Sequence, residues 1–360
     1  MKLPYITAHL DGIGGQLRAT PEHFVVEELP LYLPLDEGSH LYINFSKVGY
    51  TTRQIVELIE KSLRLRRGEI GYAGLKDKYA HTTQTISVPL VRATNEEVSE
   101  TVERIRSEVP IEVHWARLHH NKLKTGHLLG NRFRIIVSSL EQSVETAVAT
   151  AQTIATDLQQ SGVPNYFGPQ RFGKEGDNAA QGQALLLGKH KVRDPWLRRF
   201  LISSYQSELC NQYLAQRLNQ GLFQRILSGD VAKKYATGGI FDVSEPEIDQ
   251  LRFDAQEISF TAPIYGFKMR FATAEAGQLE EKILSEAGLS LDDWRKTRIE
   301  GSRRLGRLLL DDLQIESNEA GIAISFSLPK GAFATTILRE FMKNECAEGV
   351  ERDEEADPNE

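Results

Sequence analysis

Two runs of strict two-residue alternation, far apart in the chain, constrain the fold more than any other feature. In residues 131–137, Asn131, Phe133, Ile135 and Val137 share one face of an extended strand, while Arg132 and Arg134 take the other. In residues 322–328, Ile322, Ile324, Phe326 and Leu328 alternate with small residues. Between them the texture is mostly helical over 177–217 and reads as helical again over 292–309, with short strand-like pieces at 240–243 and 260–265. A short helix is expected over 335–342. The simplest fold is α+β: a mixed, largely antiparallel sheet domain interrupted by an inserted α+β domain, with the last strand and helix returning to the first sheet.

The first part of the chain supports the sheet. Strands are expected at 24–28 and 41–45, where Leu41, Ile43 and Phe45 alternate with Tyr42 and Asn44. Thr51 or Thr52 caps a helix over 53–65 whose apolar side carries Ile55, Leu58, Ile59 and Leu63. Extended segments at 70–75 and 83–88 flank a charged turn, and Ile111, Val113 and Trp115 share a face of another strand. A chain of 360 residues exceeds what one hydrophobic core usually serves. The expected division is a discontinuous domain of 1–158 and 306–344, an insert at 159–305, and a tail at 345–360. The last ten residues, ERDEEADPNE, hold six acids against one arginine and account for five of the seven net negative charges. That composition predicts disorder.

Several function classes find no support. No run approaches the roughly 20 apolar residues of a membrane span, and the N-terminus lacks an apolar signal core. A cytoplasmic protein is expected, and a monomer, since no coiled-coil or interface stripe stands out. Cys210 and Cys346 are widely separated, which argues against a disulfide framework or zinc site. The sequence contains no phosphate loop, GxGxxG, HExxH or GxSxG pattern. No cofactor or metal is expected.

Two features carry chemistry. Residues 115–134, WARLHHNKLKTGHLLGNRFR, hold five Arg or Lys and three His with no acid. Such a stretch neutralises phosphates, or it is simply a solvated basic hairpin; charge alone leaves both open. His119, His120 and His127 have no carboxylates nearby in sequence, which favours an RNA-facing or surface role over metal ligation. Residues 71–84, GYAGLKDKYAHTTQ, set Asp77 between Lys76 and Lys78. Neighbouring cations favour a charged carboxylate, as a nucleophile requires. If the segment is extended, both lysines point away from the Asp77 face toward phosphates. A plain charged turn is the competing reading.

The segment GYAGLKDKYAHTTQ resembles the signature of the TruD family of tRNA pseudouridine synthases. Five further blocks resemble that family in its order: PEHFVVEE (21–28); the Lys-x-Gly-x-x-Thr turn formed by Lys47, Gly49 and Thr52; GNRFRIIV (130–137); VPNYFGPQRFG (163–173); and LPKGAFATTILRE (328–340). Together they span nearly the whole chain apart from the middle of the insert and the tail.

The resemblance implies an isomerase that converts uridine to pseudouridine in tRNA, at position 13 in the D-arm region, with Asp77 as nucleophile. It implies contacts to the flipped uridine from Phe24, Asn131, Phe133 and Phe333, and Arg18 as the basic partner of Asp77. Lys76, Lys78, Arg117, Lys122, Lys124 and Arg132 are the candidates for RNA-backbone contact. Each aromatic also has a core reading: Phe24 beside Val26, and Phe133 beside Ile135 and Val137. The segment 163–173 reads as a structural hinge at a domain junction. Two rival functions stand beside the enzyme. One is a non-catalytic RNA-binding or chaperone protein. The other is a glycosidase-like enzyme on nucleosides that pairs Asp77 with Glu27 or Glu28.

Overall fold

The computed structural model describes residues 2–173 and 175–344, so the acidic tail and Cys346 lie outside the described residues. The elements run β1 Phe24–Pro30, β2 His40–Lys47, α1 Thr52–Leu63, β3 Gly71–Tyr72, β4 His81–Pro89, α2 Asn95–Glu108, β5 Glu112–His119, β6 Leu128–Ser138 and α3 Val144–Ser161. They continue with β7 Val163–Pro164, α4 Asn178–Leu186, α5 Pro195–Asn219, β8 Val231–Lys234, β9 Ile240–Asp242, α6 Pro246–Asp254, β10 Ile258–Ile264, α7 Ala274–Glu286 and α8 Leu291–Thr297. The chain closes with β11 Ser302–Leu305, β12 Arg307–Leu308, β13 Gln314–Asn318, β14 Gly321–Pro329 and α9 Ala334–Met342. It divides into two compact units.

The first unit comprises Ile13–Ala151 and Asp312–Gly331. Its sheet runs β13-β14-β6-β1-β4-β2-β5, with β3 added on β4. The two alternating runs of the sequence lie side by side in it: Phe133 opposes Phe326, Ile135 opposes Ile324 and Val137 opposes Ile322. Strand β1 runs antiparallel to β6 but parallel to β4. The other pairings of this sheet are antiparallel, as the sequence predicts. Helix α1 starts at a capping box in which the Thr51 hydroxyl accepts from Gln54 N–H and the Gln54 amide oxygen accepts from Thr51 N–H. It ends at Arg64 in the left-handed region. Its apolar side seats Ile55 and Ile59 against Leu41, Ile43, Phe45 and Ile86.

The second unit comprises, among the described residues, 2–12, those of Gln152–Asp311 and 332–344. Its core gathers Leu209, Tyr213, Phe260, Tyr265 and Trp294 around α5 and the β11-β10-β8-β9 sheet. Arg217 and Asp230 form a fully buried ion pair there, with Nη1–Oδ1 at 2.7 Å.

These units are bounded differently from the division expected from the sequence, because α9 packs on residues 3–7. The Glu340 carboxylate of α9 accepts from the N–H groups of Ile6 and Thr7 and from the Thr7 hydroxyl. Arg339 donates to the carbonyls of Leu3 and Pro4. Thus β14 returns to the first sheet as expected, while α9 groups with the second unit.

The helix expected over 292–309 is another correction. Helix α8 stops at Thr297, where Arg298 turns left-handed at φ 58° and Gly301 follows at φ 77°. Beyond them β11 pairs with β10 and satisfies its backbone as a strand. The extended segment expected at 70–75 shrinks to β3, and the residues after it form an irregular loop.

Candidate active site

Asp77 lies on this loop, between β3 and β4. Both of its carboxylate oxygens are engaged: Oδ2 sits 2.7 Å from Arg18 Nη2, and Oδ1 accepts from the Tyr79 backbone N–H at 2.9 Å. The Arg18 guanidinium also lies over the Phe24 ring, 4.1 Å from its centroid. Phe24 meets Phe133 edge-on at 6.4 Å, and Phe133 meets Phe326 at 5.5 Å. A continuous path of contacts therefore runs from the Asp77 carboxylate through Arg18 into a cluster of three phenylalanines.

The cluster is well packed, with Phe24 4% and Phe133 7% exposed. Both rings act as core residues in this conformation, so little ring face is open to a base. Asn131 opposes Glu28 on β1, and its Oδ1 is buried without a hydrogen-bond partner. A buried acceptor left unmade costs about 1–3 kcal/mol, which a ligand donor would offset.

The structure brings Arg18, Phe24, Asp77, Asn131 and Phe133 into the first unit and places Phe333 in the second. Phe333 is the N-cap residue of α9, and its ring centroid lies 5.9 Å from that of Phe167. Gly168 makes that packing possible, since a Cβ there would come within 3.2 Å of the Phe333 ring.

Lys76 corrects an expectation. Its side chain is 5% exposed, with Nζ 2.7 Å from Glu28 Oε2, so its charge is taken up inside the fold rather than turned toward phosphate. Glu28 in turn accepts from the Thr85 N–H. Glu27 is exposed beside Arg132 at 3.5 Å. Both glutamates that the glycosidase reading would pair with Asp77 are thus engaged by other cations, Glu28 by Lys76 and Glu27 by Arg132. Nothing in the spacing of these residues signals the Glu28–Lys76 pair.

The other cations lie nearer the surface. Lys78 sits 5.4 Å from the Tyr79 ring centroid, and Lys124 is exposed. Arg117 pairs with Asp36 on the surface, and Lys122 donates to the Gly68 carbonyl. His119 departs from its expected surface role. It is buried, stacks on Tyr32 at 5.2 Å, and burial pushes its pKa below the usual histidine range. Among the described residues no group of three His, Cys, Asp or Glu is arranged to hold a metal, and no helix is long and apolar enough to cross a membrane.

Comparison with known proteins bears on this constellation. The family model described as tRNA pseudouridine synthase D (TruD) matches residues 1–193 and 190–341. A tRNA pseudouridine synthase D of Thermus thermophilus is 42% identical over 350 residues, covering 97% of this chain and 95% of the relative. The protein of that name from an Anaeromyxobacter species is 41% identical, covering 94% and 96%. The crystal structure of a putative tRNA pseudouridine synthase D from Methanosarcina mazei shares the fold, with a TM-score of 0.78 at 24% identity, covering 97% of this chain and all of that one. The chain belongs to the tRNA pseudouridine synthase D (TruD) family.

Proposed function

We propose that this protein isomerises a uridine of tRNA to pseudouridine, with Asp77 as the nucleophile and uridine 13 as its target. The observation that carries the residue assignment is the Asp77 carboxylate held by Arg18 at 2.7 Å, with Arg18 in turn lying on the Phe24 ring. In the reaction the C1′–N1 bond breaks and a C1′–C5 bond forms. The C5 hydrogen leaves as a proton, and N1 takes one up. Atoms and electrons balance within the nucleotide, so the step calls for no redox partner.

The target base must leave its stack to reach Asp77, which costs a few kcal/mol. The unsatisfied Asn131 Oδ1 suits the N3–H of uracil and returns part of that cost. Phe133 is proposed as the ring on which the base packs, worth about 1–3 kcal/mol per stacked base. Because Phe133 is largely covered, stacking on it requires a neighbouring side chain to move. Phe333, Lys78, Lys122, Lys124, Arg117 and Arg132 are proposed to contact the RNA; Lys76 is not.

The test uses tRNA transcripts tritiated at uridine C5. The reading predicts tritium release to water without free uracil, and no release when uridine 13 is replaced by cytidine. Release of free uracil would point to hydrolysis. Binding without tritium release from any tRNA would leave an RNA-binding role in place of the enzyme.

A further inference from the structure

The loop that carries Asp77 has no regular secondary structure, yet its backbone is tightly held. Most of the hold comes from one place, the turn between β2 and α1. Lys47 is 2% exposed, and its ammonium donates to the carbonyls of Tyr50 at 2.6 Å, Asp77 at 2.9 Å and Lys76 at 3.4 Å. Gly49, at φ 78°, donates its N–H to the Lys78 carbonyl at 3.0 Å. Thr52 is fully buried: its hydroxyl gives its hydrogen to Gln84 Oε1 at 2.8 Å and accepts the Lys76 N–H at 2.9 Å. Three consecutive residues centred on Asp77 are thus fastened by groups of a single turn.

Buried backbone groups need partners, and a strand or helix normally supplies them. Here an ammonium with three donors does that work. A buried ammonium is costly to keep, so its use on three carbonyl oxygens is informative. A methionine of similar length would fill the space without that cost, but it would leave the carbonyls unmade. Lys47 is also the residue at which β2 ends, so the clamp is anchored in the sheet.

We infer that Lys47, supported by Thr52, is a positioning residue for the nucleophile. It holds the Asp77 backbone so that the carboxylate meets Arg18 and faces the target nucleotide. The inference rests on the reading of Asp77 as nucleophile. Through its bonds to the Lys76 and Asp77 carbonyls, Lys47 acts on the main chain that carries the nucleophile. Misplacing a reacting group by about 1 Å costs on the order of 100-fold in rate.

The experiment compares full-length wild type with Lys47→Met and Lys47→Arg. It measures single-turnover tritium release from C5-labelled tRNA, tRNA binding by filter retention, and thermal melting. Lys47→Met is expected to slow release about 30- to 100-fold while binding stays within about threefold, and Lys47→Arg is expected to recover part of the rate. A lower melting point with wild-type rate per folded molecule would overturn the inference, because it would make Lys47 purely structural. So would a rate loss fully accounted for by weaker binding. Thr52→Val and Thr52→Ser give a second pair should Lys47→Met fail to fold. Valine removes the acceptor and is expected to be slow, whereas serine keeps it and stays near wild type; equal rates for the two overturn the inference. Wild type inactive on every tRNA would instead sink the functional reading, so the two failures are told apart.

Discussion

Arg18 reaches the Asp77 carboxylate from a left-handed backbone position, with φ at 59° and Nη2 2.7 Å from Oδ2. A non-glycine residue rarely adopts that conformation, so holding the guanidinium there carries a backbone cost that surrounding contacts offset. Removing the group should matter more to the reaction than to folding. Arg18→Ala is expected to lower the single-turnover rate about 10²- to 10³-fold. Arg18→Lys should recover only part of it, because a point charge cannot lie flat on Phe24 while bonding Asp77. Rapid-quench tritium release with both variants checks this, and Arg18→Lys equal to wild type would contradict it.

Lys124 tests the electrostatic grip. It is exposed, whereas Arg117 already pairs with Asp36 and Arg132 lies beside Glu27. Lys124→Ala is expected to weaken tRNA binding without changing the rate of the bound complex. The slope of log affinity against log salt should fall by about 0.7–0.9 for the lost phosphate contact. Filter binding across a salt series reads this out, and an unchanged slope would remove Lys124 from the interface.

The second unit stakes its stability on Arg217 and Asp230, both fully buried. Arg217 also donates to the Tyr213 hydroxyl and the Arg225 carbonyl. Asp230→Asn leaves that guanidinium without its counter-charge, and a loss of about 3–5 kcal/mol is expected. Urea unfolding measures it, and a shift below about 1 kcal/mol would contradict the account.

Cys210 gives a pH prediction. It is fully buried, and burial pushes its thiol from 9.0 up to about 12. The folded state therefore keeps the proton that the unfolded chain gives up at lower pH. This contribution to stability is complete below pH 9.0 and declines as pH rises toward about 12. Native protein at pH 8 should leave the Cys210 peptide unlabelled by a thiol reagent, with labelling on addition of urea. Peptide mapping decides it, and rapid native labelling would refute the burial.

Much of the fold was legible because its signals are local. The alternation of 131–137 and 322–328 predicted strands, and Phe133 opposite Phe326 shows why those patterns belong together. The start of α1 was legible because a capping box is written in four consecutive residues. The motifs offer the candidate site as residue types rather than as geometry. Lys76 looked like a surface cation because Lys-Asp-Lys reads as a turn, and only the fold brings Glu28 to it. The run 292–309 looked helical because its local spacing permits a helix; the pairing of β11 with β10 decides otherwise and is invisible in the sequence. The packing of α9 with the N-terminal residues depends on Glu340 finding Ile6 and Thr7, a contact that no local pattern announces.

The most direct test of the central claim is Asp77→Asn, an isosteric change that removes the charge paired with Arg18. Wild type and variant are compared for tritium release from C5-labelled tRNA, with tRNA binding measured in parallel. Retained binding with no detectable release from the variant is the predicted result. Release by Asp77→Asn at a rate near that of wild type would show that the chemistry does not depend on this carboxylate and would contradict the account.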